Sequence, residues 1–323
     1  MRCLVTGGAG FIGSHLTEHL LDLGHEVVVL DDFSTGDERN LAAVASDRRL
    51  QVRRGSVCDP AAVEDAMAGV EAVYHLAAAV GVFTILDKTL QSLRTNLTGT
   101  EVVLEAVRRH QVPVLVASTS EVYGKNTADS LSEDDDRVVG SPLLSRWSYA
   151  EAKALDETFA YLYGAEYGLH TVIVRLFNTV GPRQSGRYGM VVPRFVEQGL
   201  AGEPLTIHGD GAQIRCFCHV LDVVPALVAL LGDERARCQV VNLGNPEPVT
   251  IAELAQRVIA ATGSTGGVVK IPYDQAYGSG FEDMQRRVPN IGKARELIGF
   301  EPRHRLDDVL KAVIAERSQL RTA

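Results

Sequence analysis

No stretch of this 323-residue chain approaches the ~18 uninterrupted apolar residues that a membrane-spanning helix needs, so no membrane segment is expected. The first strand pattern starts at residue 2, with neither a charged leader nor a cleavage site before it, and the expected compartment is the cytoplasm. Cysteine is scarce: Cys3, Cys58, Cys216, Cys218 and Cys238 are odd in number and scattered, which excludes a disulfide framework and agrees with a reducing environment. Cys216 and Cys218 lie two apart in an expected strand, pointing to one face. No second pair follows at zinc-site spacing, so they read as small buried apolar residues and no metal is expected. Basic charge is also in deficit, with 32 Lys and Arg against 41 Asp and Glu and a formal charge of −9. That removes the general positive field used to bind nucleic acid or anionic membranes. A polyanionic ligand must then be held by helix N-termini and individual arginines.

What is present is an ordinary globular composition, 46% hydrophobic and 23% charged, with no internal repeat and no low-complexity segment. Short Val-rich runs at Arg2–Thr6, Glu26–Asp31, Leu50–Arg53, Ala72–Leu76, Pro113–Ser118 and Thr171–Phe177 predict strands of a parallel sheet buried on both faces. Helical stripes lie between them, such as Ile12, Leu16, Leu20 and Leu23, or Leu93, Leu97, Leu104 and Val107. Strict alternation predicts right-handed βαβ units: an α/β fold with a Rossmann-type, doubly wound parallel sheet and a smaller α/β substrate-binding domain. The expected cofactor domain is 1–178 with return segments at about 219–244, where Val220–Leu231 and Gln239–Leu243 read as helix and strand. The second domain takes 179–218 and 245–323. Residues 179–211 read as loops with short elements. Thr250–Thr262 reads as a helix with capping-box spacing between Thr250 and Glu253. Tyr273–Pro289 has little periodicity and is expected to cross a cleft.

Gly7-Gly8-Ala9-Gly10-Phe11-Ile12-Gly13 follows the first strand and opens the first helix. Gly7, Gly10 and Gly13 allow the tight turn, close pyrophosphate approach and close helix–strand packing of a dinucleotide site. Asp31 ends the second strand, where a carboxylate binds the adenosine ribose hydroxyls and repels a 2′-phosphate, so NAD is expected over NADP. Arg39 is the nearby counter-argument. Tyr149 and Lys153 form Tyr-x-x-x-Lys on one helix face. A phenol with pKa ~10 is a poor base at neutral pH. An ammonium one turn away favours the phenolate, which can then take a proton from a hydroxyl.

Together with Val73–Ala78, Ser118–Gly124, Arg175–Arg183 and Gln213–Phe217, these motifs resemble the extended short-chain dehydrogenase/reductases, from residue 2 to about residue 300. The resemblance implies that NAD is bound by the glycine motif with Phe11, Ile12 and Asp31, and by Asp59, Tyr149 and Lys153. His75, Leu76, Ala77 and Ala78 would line the nicotinamide pocket. It implies that Thr119 assists Tyr149 at a sugar hydroxyl, and that Asn178, Arg215 and Tyr277 bind the nucleotide sugar. Helices near Ser92–Arg109 and Tyr149–Tyr163 match the pair that builds a homodimer through a four-helix bundle.

Enzymes of this kind oxidise the sugar at C4 and then epimerise, dehydrate or decarboxylate it. The dehydratases of dTDP-glucose carry an acidic residue where this chain has Ser120, which cannot protonate a leaving hydroxyl. Thr119-Ser120-Glu121 is the pattern of UDP-glucuronate decarboxylases. Arg146-Trp147-x-Tyr149 and Tyr277-Gly278-x-Gly280-Phe281-Glu282-Asp283 with Arg287 resemble the same enzymes, and Arg287 falls on their proton donor. The resemblance therefore implies oxidation at C4, loss of C6 as CO2, and reduction to UDP-xylose or release of the 4-ketopentose. Glu121 either promotes loss of the substrate carboxylate or orients Thr119 or an arginine. A UDP-sugar 4-epimerase acting on UDP-glucuronate or UDP-glucose uses the same residues and stays open. A regulatory NAD-binding protein with a dead site is the third reading, opposed by the intact Tyr149 and Lys153.

Overall fold

The computed structural model describes residues 1–79, 89–186, 189–278 and 282–322. Strands β1 (Arg2–Thr6), β2 (Glu26–Asp31), β3 (Leu50–Arg54), β4 (Ala72–His75), β5 (Val114–Thr119) and β6 (Thr171–Leu176) lie within a residue of the predicted runs. Short strands follow at β7 (Thr179–Val180), β8 (Leu205–His208), β9 (Ile214–Arg215) and β10 (Cys218–His219). Then come β11 (Gln239–Leu243), β12 (Val249–Thr250) and β13 (Val268–Ile271). Seven of these form a parallel sheet in the order β11-β6-β5-β4-β1-β2-β3.

The strands are apolar without interruption because both faces are covered. Cys3, Val5, Val27 and Val29 face one core, shared with α1 (Phe11–Asp22). Leu4, Val28 and Leu30 face another, shared with α2 (Pro60–Ala66), α3 (Thr89–His110) and α4 (Ser148–Tyr167). A third core lies outside the sheet. It gathers α5 (Val191–Ala201), β8 and α7 (Ile251–Thr262) with α10 (Leu306–Thr322). The remaining helices are α6 (Val220–Leu231), packed on α1, α8 (Tyr273–Tyr277) and α9 (Gly292–Ile298).

Several local expectations change. α5 occupies a stretch read as loops: Val192, Phe195, Val196 and Gly199 make a buried face on the third core, while Pro193 sits in its first turn, where a missing N–H costs nothing. Leu23 is not part of the α1 stripe; it ends the helix and is exposed. Cys216 and Cys218 do not share a strand. Arg215 ends β9, which pairs antiparallel with β12, and Cys218 begins β10, which pairs parallel with β7. Both thiols are buried, and all five cysteines are free. Thr250 caps α7 by accepting from the Glu253 N–H at 3.0 Å, but the Glu253 carboxylate turns to Arg257 rather than back to the cap.

Beneath the C-terminal end of β5, a buried ion pair ties the sheet to α4. Arg175 on β6 makes a bidentate contact with Glu157 (3.0 and 2.8 Å), and Ser118 Oγ donates to the same carboxylate at 2.5 Å. Breaking a buried pair by removing one partner costs about 3–5 kcal/mol. Arg175→Met should lower unfolding stability by that amount; a urea midpoint within error of the native chain would refute it.

Candidate functional site

Residues with chemical function collect where the parallel strands end. Gly7 follows β1, Asp31 closes β2, Thr119 closes β5, and Asn178 follows β6. This is the crevice expected outside the carboxyl ends of a doubly wound sheet, at the switch point between β1 and β4. The cleft there measures about 1240 Å³, above the usual size for one small ligand and suited to two.

One end of the cleft is the glycine loop. Gly7 has φ +71°, a conformation open to glycine, and a Cβ on it would meet Ala77 N at 2.8 Å. A Cβ on Gly13 would come within 2.1 Å of Gly7 O. The α1 helix starts at Gly10 with no side-chain cap, so its first N–H groups are left for a ligand. The Asp31 carboxylate faces the same space. It accepts from Ala9 N at 2.9 Å and Phe33 N at 2.8 Å, which sets its orientation, while burial raises its pKa. An uncapped helix start, a cradle that a side chain would fill and a buried carboxylate fit a dinucleotide. Gly13→Ala should therefore cost about 1–3 kcal/mol by overpacking, or roughly 10- to 100-fold in NAD affinity. Calorimetric titration giving native affinity would sink that assignment.

Phe11, Ile12, Leu76, Ala77 and Ala78 line the cleft, but three residues expected beside them do not. Asp59 is exposed and caps α2 by accepting from Ala61 N at 3.0 Å; Gly55 and Val57 face the cleft instead. His75 is buried behind the wall, bonded to Thr6 Oγ1 at 2.8 Å and Thr100 Oγ1 at 3.1 Å. Lys153 is only 2% exposed and lies under α4 rather than on the cleft surface, its Nζ 2.8 Å from Asp156.

The middle of the cleft holds Thr119, Ser120, Glu121 and the half-buried Tyr149. Thr119 Oγ1 accepts from Glu121 N at 3.2 Å, which turns the chain sharply after β5. Burial, with the negative charges of Glu121 and Asp156, pushes the Tyr149 phenol above its ordinary range.

Beyond it runs an alternating row of charges. Arg287 Nη1 donates to Glu121 Oε1 at 2.9 Å, and Arg146 bonds the other Glu121 oxygen. Arg146 also approaches Asp283 at 3.6 Å, and Asp283 accepts from Arg215 at 2.9 Å. Arg287 reaches Asn178 Oδ1 at 2.7 Å, and Asn178 Nδ2 donates to Cys216 O at 2.8 Å. Burial alone would raise the Glu121 pKa, but the two guanidiniums hold it down at about 2. Its pairing thus stabilises the fold fully above the ordinary carboxylate pKa of 4.5 and is lost as pH falls towards 2. Burial draws Arg287 the other way, below the usual guanidinium range, with Glu121 opposing. Three cations against two anions leave the row with one positive charge towards an anionic ligand.

The far end is made by α5, β8 and α8. His208 bonds Tyr277 OH at 2.7 Å and Arg194 at 2.9 Å, and burial beside Arg194 lowers its pKa to about 4. Further along, Asp283 and Arg287 line the cleft, Arg286 bridges to Ile214 and Pro289 to Leu131. Gly280 and Phe281 lie outside the described residues. Arg146, Asp283, Arg194 and His208 were not expected as site residues. Arg146 had a signal, standing three residues before Tyr149 in Arg-Trp-x-Tyr, and so did Asp283, which ends the Tyr277–Asp283 motif; Arg194 and His208 belong to no motif and meet the site only through the fold.

The model of the NAD dependent epimerase/dehydratase family matches residues 3–244, the stretch that builds the sheet, the glycine loop and the Tyr149 helix. This chain belongs to that family. It is 39% identical over 314 residues to the UDP-N-acetyl-alpha-D-glucosaminuronate decarboxylase of Bacillus cytotoxicus, covering 97% of this chain and 96% of the relative. It is 38% identical to the UDP-glucuronic acid decarboxylase 1 of Danio rerio, covering 97% of this chain and 72% of the other. Among solved structures, the UDP-glucuronic acid 4-epimerase of Bacillus cereus, in complex with UDP-glucuronic acid and NAD, superposes with a TM-score of 0.88 at 30% identity. That match covers 99% of this chain and 100% of the epimerase. This epimerase/dehydratase-family chain is an NAD-dependent enzyme with a doubly wound Rossmann-type sheet.

Proposed function

We propose that this enzyme decarboxylates a UDP-hexuronate, with UDP-glucuronate as substrate. The observation that carries the reading is Arg287 paired with Glu121 at 2.9 Å in the same cleft as Thr119 and Tyr149, with Ser120 where a dehydratase needs an acid. Decarboxylase relatives at 38–39% identity support it.

In this reading Tyr149, once its phenol has released its own proton to solvent, acts as phenolate and, assisted by Thr119, takes the proton of the C4 hydroxyl. The glycine loop and Asp31 would hold NAD, which would supply a hydride acceptor for oxidation at C4 and a hydride donor for the final reduction. With C4 a ketone, the C6 carboxylate is a β-keto acid. The C5–C6 bond breaks, CO2 departs, and the bonding pair remains as an enolate with charge on the C4 oxygen. Tyr149 and Thr119 donate hydrogen bonds to that oxygen, as an oxyanion hole does. Arg287 holds the carboxylate before cleavage and supplies the C5 proton after it, helped by burial that makes it a stronger acid than a free guanidinium. Glu121 acts as the carboxylate that sets both arginines. Asn178, Arg215 and Tyr277 serve the nucleotide diphosphate. Residues 1–178 with 219–244 serve the cofactor, and 179–218 with 245–323 the sugar.

NMR of the purified protein with UDP-glucuronate and NAD, following C6, tests the reading: CO2 and pentose signals are expected. UDP-galacturonate with C6 retained would instead establish a 4-epimerase, the activity named for the Bacillus cereus neighbour. Running UDP-N-acetylglucosaminuronate in parallel tests whether C2 carries a hydroxyl or an acetamido group. In D2O the product should carry deuterium at C5, and unlabelled product would rule out the enolate.

We also propose a cytoplasmic homodimer. Five free cysteines agree with a reducing compartment, and no helix among the described residues is long and apolar enough to cross a membrane. α3 and α4 pack on each other, and α4 still exposes Leu155, Tyr161, Leu162 and Tyr167. A second copy covering that face makes a four-helix bundle. Sedimentation showing only a 34.9 kDa species at micromolar concentration would exclude it.

A further inference from the structure

Lys153 is the lysine of Tyr-x-x-x-Lys, yet its ammonium is enclosed, with a side chain 3% exposed. An ammonium taken out of water is costly unless paired. The partner is Asp156, one turn further along α4, 0% exposed, with Oδ2 2.8 Å from Lys153 Nζ. Its second oxygen, Oδ1, is buried with no hydrogen-bond partner among the described residues. The charge of this carboxylate acts on Tyr149.

The pair sits at the end of a buried polar chain. Thr100 of α3 stands against Asp156, where its hydroxyl opposes the rise that burial imposes on the carboxyl. Thr100 also bonds His75, His75 bonds Thr6, and Thr6 Oγ1 accepts from Ala77 N at 3.2 Å on the cleft wall. Burial, with the Lys153 charge, keeps His75 neutral, its pKa lowered to about 3. Inside this chain Lys153 and Asp156 are the two charges, and they oppose each other.

We propose that Asp156 is a positioning residue: it fixes the Lys153 ammonium beneath α4 and, by cancelling part of its field, sets the pH at which Tyr149 releases its proton. The Tyr-x-x-x-Lys motif alone describes an activating cation. Here the cation comes with a buried anion three residues on, whose charge opposes loss of the Tyr149 proton. Glu121 is the other carboxylate acting on Tyr149, and it is itself held by Arg146 and Arg287. On β6, Arg175 is neutralised by Glu157. On α3, Glu101 and Glu105 lie further along, beside Tyr163. Among the described residues, Asp156 is thus the carboxylate acting on Tyr149 whose only salt-bridge partner is the catalytic lysine.

The proposal rests on Tyr149 acting as the base, so its test has one readout with sugar and one without. Asp156→Asn keeps an oxygen for Lys153 and removes the charge. The acid limb of kcat/KM should move to lower pH by about one unit, as loss of a nearby like charge requires. In NAD-loaded protein, phenolate absorbance, isolated by subtracting Tyr149→Phe, should appear at correspondingly lower pH. Asp156→Ala, which leaves room for water against Lys153, serves if the amide variant does not fold. An unmoved limb and phenolate onset, or movement to higher pH, overturns the proposal. A native protein that releases no CO2 from UDP-glucuronate defeats the substrate reading, while the phenolate comparison still decides the role of Asp156.

Discussion

Tyr149→Phe should lower kcat by about 10²–10⁴-fold, the range attributable to a positioned acid–base group, while NAD stays bound. Tyr149 lines the same cleft as Thr119 and the glycine loop, and the variant removes one oxygen and leaves the aromatic ring in place. The hydroxyl has no hydrogen-bond role in holding the fold among the described contacts, so unfolding stability should change little. The separation matters: a protein that lost NAD or stability together with activity would point to a structural tyrosine. Full activity in Tyr149→Phe would show that another group takes the C4 proton. The expected outcome is a folded, NAD-loaded, inactive protein, read by absorbance after gel filtration and by a CO2-release assay.

The second large effect is expected from Arg287→Ala. Arg287 is 8% exposed and joins three parts of the site, through Glu121 after β5 and Asn178 after β6. Removing it leaves Glu121 with Arg146 alone. The pull that keeps the Glu121 pKa near 2 is then halved in number, and the carboxylate should protonate at higher pH. Turnover on UDP-glucuronate should fall at least ~100-fold, the low end for loss of an acid–base group. NAD affinity should hold within twofold, because the glycine loop and Asp31 lie at the other end of the cleft. Equal losses in turnover and NAD binding would mean that Arg287 supports the fold rather than the reaction. Arg287→Lys is informative beside it: an ammonium keeps the charge but not the simultaneous contact with Glu121 and Asn178, so partial turnover is expected.

Much of the site lies near the ends of strands, and that is why so much of it was legible. Val-rich runs mark strands buried on both faces, and in a doubly wound sheet the residues just after such runs open onto the crevice. Gly7, Asp31, Thr119 and Asn178 follow from that rule and from the motifs around them. Asp59 shows where it fails. The resemblance implies that this acid, five residues past β3, binds NAD, but its side chain is used to start α2, and Val57 lines the cleft instead. Cys216 and Cys218 have the spacing of one strand, but β9 and β10 take different partners, and partner choice is not written in a five-residue pattern.

The sequence by itself determined the sheet, the glycine loop, the carboxylate at Asp31 and the presence of Tyr149 and Lys153 on one helix face. Each depends on contacts within a few residues, or on a period that repeats along one element. Only the tertiary structure decided how the charges pair. Glu121 comes from the turn after β5, Arg146 from the turn before α4, and Asp283, Arg287 and Arg215 from the second half of the chain. Lys153 lies beneath the surface because α4 rests on the sheet with that face inwards, and Asp156 accompanies it because a buried ammonium needs a counter-charge. Apart from the i,i+3 pair of Lys153 and Asp156, whose spacing one helix turn supplies, these pairings join distant parts of the chain, and their burial is set by three-dimensional packing that no local pattern encodes.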